Sequence, residues 1–126
     1  MKYPNNATPH EYYGGDMVAF SFISKGDWDF DKVIIDSEPL KSRMTIDGLL
    51  SQIIHNTLDI KLIRLIQIAN CRIDALETTY NKQEENFKLI YISFLKDDTR
   101  YDISCHRRNK EHTSTFYNMV NSLKFV

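Results

Sequence analysis

The residues that invite a chemical reading stand close together in "RYDISCHR", residues 100 to 107. Asp102, Ser104 and His106 are the residue types of an acid, a nucleophile and a general base. Cys105 beside His106 is the pairing a thiol nucleophile would use. Both ideas depend on the shape of the segment. Its strict polar–apolar alternation is that of a β-strand. Adjacent residues on a strand point to opposite faces, so Cys105 and His106 are not expected to meet. Cys105 should instead join Tyr101 and Ile103 as a buried structural thiol. Residues two apart stand about 6.5–7 Å from one another by strand rise, beyond the roughly 2.6–3.2 Å of proton transfer. Nor does a Gly-x-Ser-x-Gly elbow expose the serine. The polar face is expected to be solvated or to meet a partner, with Arg100, Asp102, Ser104 and His106 as contacts and no catalytic residue.

Other chemistries find less support. His10, His55, His106 and His112 are scattered, without HExxH or CxxC spacing, so no metal or other cofactor is expected. The four glycines form no phosphate-cradling loop: Gly14-Gly15 lie in an early arm, Gly26 in a turn and Gly48 in the first turn of a helix. Trp28, in "GDWDF", is expected to plug one edge of the core, or else to anchor a partner. Glu84-Glu85 and Asp97-Asp98 fall at expected hairpin turns, where acidic pairs serve solubility or steer a basic partner.

Composition narrows the classes further. The 126 residues, 42% hydrophobic and 12% aromatic, suit one domain with a proper core. Sixteen basic against seventeen acidic residues leave a net charge of −1, which argues against a dedicated nucleic-acid binder. No run approaches the ~18 apolar residues of a membrane span. Residues 1–16, MKYPNNATPHEYYGGD, lack the apolar centre of a secretory signal and read as a flexible arm before a single domain over 17–126. A cytoplasmic location is expected, with Cys71 and Cys105 as reduced thiols.

The elements that must position these side chains can be read in order. Residues 17–24, "MVAFSFIS", and 32–37, "KVIIDS", read as strands, the second ended by Pro39. A helix begins at the N-cap Thr45 and carries Ile46, Leu49, Leu50, Ile53, Ile54 and Leu58 as one apolar face, with Ser51, Gln52 and His55 turned to solvent. A closing helix sets His112, Phe116, Met119, Val120 and Leu123 along one stripe, with Asn109 or Thr113 as its cap.

Residues 61–82, "KLIRLIQIANCRIDALETTYNK", admit two readings. As a helix they align Leu62, Leu65, Ala69, Ile73, Leu76 and Tyr80 on one stripe that starts at Leu58. As strands they exploit five isoleucines between 60 and 73 and the β-favouring Thr78, Thr79 and Tyr80. Asn70 would then take the left-handed conformation of a hairpin turn. The next segments decide for strands: "FKLIYISFLK" and "RYDISCHR" make a hairpin across "KDDT", and a lone hairpin is marginal. Strands over 60–68 and 71–82 complete an antiparallel meander of four.

The helix, then "DIKLIRLIQIANCRIDALETTYN", then "FKLIYISFLKDDTRYDISCHR", then a helix ending "FYNMVNSLKF", resembles the PsbP-like and DcrB-like α/β sandwich family over roughly 45–125. The opening "KGDWDF" departs from that family's pattern. The resemblance implies a non-catalytic domain that binds other proteins, with members serving as chaperones or adaptors, and carries over no catalytic residue.

The expectation is thus an α+β fold, an antiparallel meander with two helices, the C-terminal one packed on one face. The leading functional expectation is a protein-binding module, a small bacterial cytosolic chaperone, adaptor or immunity-type inhibitor, with a homodimer through a sheet edge as an option. The alternatives are a small-ligand carrier with a pocket between sheet and helix and, third, a small hydrolase.

Overall fold

The computed structural model of the chain describes residues 7–12, 17–22, 31–80, 88–107 and 110–123. Among the described residues seven strands and two helices run β1 (Ala7–Tyr12), β2 (Met17–Phe22), β3 (Asp31–Pro39), α1 (Ile46–Asn56), β4 (Ile60–Ile68), β5 (Ile73–Tyr80), β6 (Lys88–Lys96), β7 (Thr99–Arg107) and α2 (Glu111–Asn121). All strand pairs are antiparallel, in one sheet of order β1-β2-β3-β7-β6-β5-β4. The fold is α+β, and β4 and β5 make residues 60–80 a strand pair. One expectation fails at the start of the chain. Residues 7–12, read as part of a flexible arm, pair with β2 and extend the sheet.

Two apolar clusters flank the sheet. On one face Phe116, Met119 and Val120 of α2 pack on Val33, Ile90, Ile92, Phe94, Ile103 and Cys105. On the other, Leu49 and Ile53 of α1 pack with Leu76, and Leu95 and Ile63 close the edges of that cluster. Strand register explains the division. Ile92 opposes Ile103 and Ile90 opposes Cys105 under α2, whereas Ser93 opposes Asp102 and Tyr91 opposes Ser104 under α1. Each helix therefore covers its own face of a common sheet.

The local signals have visible causes. Thr45 caps α1 by accepting from the Gly48 backbone N–H at 3.2 Å. Asp97 and Asp98 both take positive φ, 50° and 57°, in the two-residue turn that joins β6 to β7. That is the backbone a tight hairpin of this hand requires. The β4–β5 turn differs from expectation. Its positive φ falls on Arg72, at 56°, while Asn70 uses its side chain to donate to the Leu123 carbonyl at 3.0 Å. The Ala69 N–H donates to Asn121 Oδ1 at 3.1 Å, so this turn is clamped to the end of α2.

The helix expectations also need correction. Ile54 and Leu58, assigned to the buried stripe of α1, are 54% and 86% exposed. The cluster on that face lies over β5 and β6, so only Leu49 and Ile53 reach its centre. Thr113 caps nothing: Lys110 stands at the N-cap of α2 without a side-chain bond, and Asn109 lies outside the described residues. Trp28 and Glu84-Glu85 also lie outside them.

Candidate functional site

The polar face of β7 forms the floor of a cavity. Together with β3, β5, β6 and α1 it lines a half-open cleft of about 490 Å³, within the range of metabolite-binding sites. Register brings the floor together: Asp36 of β3 opposes Asp102, which opposes Ser93, while Ile34 opposes Ser104, which opposes Tyr91. Ile53 and Thr57 come from α1 and its C-cap. Thr78 and Tyr80 line the β5 side, and Leu89 and His106 line the end nearest the β6 start.

Arg100 and Asp102 organise one half of this pocket. Arg100 donates from Nε to Asp102 Oδ2 at 2.9 Å and from Nη2 to Oδ1 at 3.2 Å. This two-point geometry holds the planar fork in one orientation. Its Nη1 donates to Gln52 Oε1 at 2.8 Å, which ties α1 to the sheet. Gln52 was expected to face solvent; here it reaches inward to a guanidinium that burial would otherwise leave short of an acceptor. Ser93 adds a hydroxyl donor to Asp102 Oδ1 at 2.5 Å.

His106 and the tyrosines organise the other half. His106 Nε2 and Ser104 Oγ lie 3.2 Å apart. The strand-rise argument placed them out of reach, and that expectation is corrected here: side chains on one face lean along the strand and close the gap between their tips. Tyr91 sits edge-on to both neighbours, its ring 5.4 Å from Tyr80 at 73° and 6.4 Å from His106 at 68°. Burial pushes the Tyr91 phenol above the usual tyrosine range, Asp102 and Asp36 push it the same way, and Ser104 opposes them. Burial likewise raises Tyr80, against the hydrogen bond from Thr57. Both rings are neutral hydroxyl-bearing walls at ordinary pH.

Of the expected contact residues, Arg100, Asp102, Ser104 and His106 are thus brought together, in a pocket rather than on an open strand surface. Ser104 is only 4% exposed. Cys105 lies on the far face in the α2 cluster, separated by the sheet from His106. Sequence reasoning missed Asp36, Tyr80, Tyr91 and Thr78. The available signal was the alternation of Tyr91 and Ser93 within "LIYISF", which places two polar tips on the face opposite the isoleucines. Among the described residues no group of three His, Cys, Asp or Glu side chains is placed to hold a metal ion. No helix among them is long and apolar enough to cross a membrane.

Comparison of the sequence with family models and with curated proteins returns no match.

Proposed function

We propose that this protein is a non-catalytic binding domain whose site is the pocket between α1 and the sheet, and that it takes a small polar ligand. The observation that carries the reading is the cavity of about 490 Å³, into which side chains from four strands and a helix converge. Pockets of this size, walled by apolar and aromatic side chains with a few positioned polar groups, suit metabolites. Transformation of the ligand has weaker support. Ser104 and His106 touch, but Asp102 is committed to Arg100 and Ser93. The backbone of β7 is paired on both sides, so its N–H groups serve the β3 and β6 ladders and not a developing oxyanion.

The test is thermal stabilisation by a metabolite panel, read on the intact chain and on the Arg100→Ala variant. A ligand that raises Tm in the first and not in the second is the expected result. A panel spanning charged, neutral and aromatic metabolites that moves neither would defeat the reading.

A second reading has its own observation. Leu58, Leu62 and Leu65 are 86%, 53% and 64% exposed at or beside the outer strand β4. Exposed leucines at a sheet edge fit docking of another protein, as a chaperone, adaptor or immunity-type inhibitor would use. That reading began from the resemblance of the sequence over roughly 45–125 to the PsbP-like and DcrB-like family. Affinity purification from native cells separates the two: a stoichiometric protein companion lost on Leu65→Ser belongs to the edge, and its retention in that variant counts against it.

A further inference from the structure

The hydrogen-bonding capacity left over inside the pocket narrows its ligand, granted that the pocket is a binding site. Every formal charge among its described lining residues already has a partner. Arg100 and Asp102 hold each other at 2.9 and 3.2 Å, and Asp36 and His106 engage further groups of the protein. A ligand with a net charge would have to displace one of these partners or leave its own charge unanswered. Either is costly in a partly desolvated site.

What remains is neutral and two-sided. The guanidinium makes three bonds, two to Asp102 and one to Gln52, and still has N–H groups left to donate. The Asp102 carboxylate receives three, from Ser93 and from two guanidinium nitrogens, where an ionised carboxyl offers about four lone-pair sites. Their side chains are 22% and 21% exposed, so a ligand can reach both. One ion pair thus sets a donor beside an acceptor with no net charge. Thr78 repeats the pattern deeper in. It is 1% exposed and lines the pocket, yet its Oγ1 has no hydrogen-bond partner. A hydroxyl both donates and accepts, and a buried one left unanswered costs stability until a water or a ligand group satisfies it. Register sets Thr78, Tyr91 and Ser104 side by side across β5, β6 and β7, so three hydroxyl-bearing side chains share one row of the floor.

We propose that the pocket binds a small neutral polyol, a monosaccharide or cyclitol, whose hydroxyls meet the Arg100–Asp102 pair at one end and Thr78 at the other. Each ligand hydroxyl gives and takes a hydrogen bond, the complement of a donor and an acceptor standing together. The C–H faces of the ring meet Ile53 and Leu89 in the same cleft. A volume of about 490 Å³ lies in the lower half of the range for small-molecule sites, which fits a single ring better than a chain of them.

Titration calorimetry on the full chain tests this with glucose, galactose, ribose and myo-inositol, and with glucosamine and glucuronate as cationic and anionic counterparts of the same kind of ring. At least one neutral polyol is expected to bind, about tenfold or more tighter than glucosamine and glucuronate. Thr78→Val, which keeps the shape and removes the hydroxyl, should weaken that ligand about fivefold without lowering the Tm of the unliganded chain. A merely structural threonine would give the reverse, a lower Tm with unchanged affinity. Arg100→Lys, which keeps the charge and loses the fork, should weaken the ligand about tenfold and serves as the second variant if Thr78→Val does not fold. Binding of either charged ring as tightly as the best neutral one overturns the assignment, and so does unchanged affinity in either folded variant. If none of the six compounds binds the folded chain, the polyol assignment falls. The pocket reading then stands or falls separately, since stabilisation by another metabolite that Arg100→Ala abolishes keeps it.

Discussion

At the scale of single residues, the molecule is organised by buried polar groups that answer one another across strands. Asp102 is the clearest case, since it receives Ser93 and both arms of the Arg100 fork. Asp102→Ala leaves a half-buried guanidinium that still donates to Gln52 but has lost its carboxylate. Stability should fall by about 2–3 kcal/mol, the usual cost of stranding a charged hydrogen-bonding partner, measured by urea denaturation. On the opposite face Glu77, 4% exposed, accepts from Arg64 Nε at 2.8 Å. Tyr117 of α2 stands by this pair. Burial first, and Glu77 next, push its phenol up to about 12 from an ordinary value of 10. The protonated form is favoured in the folded chain, so the unfolded chain releases its proton first as pH rises. The stabilisation is complete below pH 10 and is lost between 10 and about 12. Its size is on the order of 1 kcal/mol after allowance for solvent screening of a half-buried phenol. Tyr117→Phe should flatten that alkaline loss in urea titrations at successive pH values. Tyr80 and Tyr91, also raised, leave a residual slope.

At the scale of elements, most of what matters was readable and the exceptions share a cause. The α1 cap, the 99–107 strand and the α2 stripe are local patterns, set by hydrogen-bond geometry and periodicity within a few residues. The Asp97-Asp98 turn is local too, but strained. Both aspartates sit at positive φ, where a side chain costs energy and glycine does not. Asp98→Gly should therefore stabilise the chain by about 0.5–1 kcal/mol, visible as a raised denaturation midpoint with an unchanged slope. A loss of stability would mean that the Asp98 side chain makes a contact worth more than the strain. The strand β5 shows why alternation can mislead. Ala75, Leu76, Glu77 and Thr78 are consecutively buried because helices cover both faces there. In "IDALETTY" that reads as a broken pattern, and the same residues suit a helix stripe equally well.

At the scale of the whole molecule, one sheet separates an apolar face from a partly polar one, and the two helices finish the division. The α2 face is a continuous apolar core. The α1 face is half core and half pocket, because α1 covers β5 and β6 and leaves the polar tips of β3 and β7 beside it. The outer strand β4 keeps Leu62 and Leu65 exposed, next to Leu58 in the loop that follows α1. These leucines contribute little to folding. The double substitution Leu58→Ser with Leu65→Ser should change unfolding free energy by no more than about 0.5 kcal/mol. It should also lower any self-association seen by analytical ultracentrifugation. A large loss of stability would show that the edge is covered within the chain.

The order of residues alone dictates the strands β2, β3, β6 and β7, the two helices, the Thr45 cap and the turn at Asp97-Asp98, since each depends on neighbours within one or two turns of backbone. It also dictates that Cys105 and His106 part company, because a strand's faces alternate whatever it pairs with. Which polar residues meet is another matter. Asp36, Tyr91 and Ser93 reach Asp102 and Ser104 through register between strands, Asp36 and Asp102 being 66 residues apart in the chain (102 − 36). Gln52 joins them from a helix. The Ser104–His106 contact depends on how two side chains lean within a covered face. No local pattern encodes those distances, because packing across the sheet sets them.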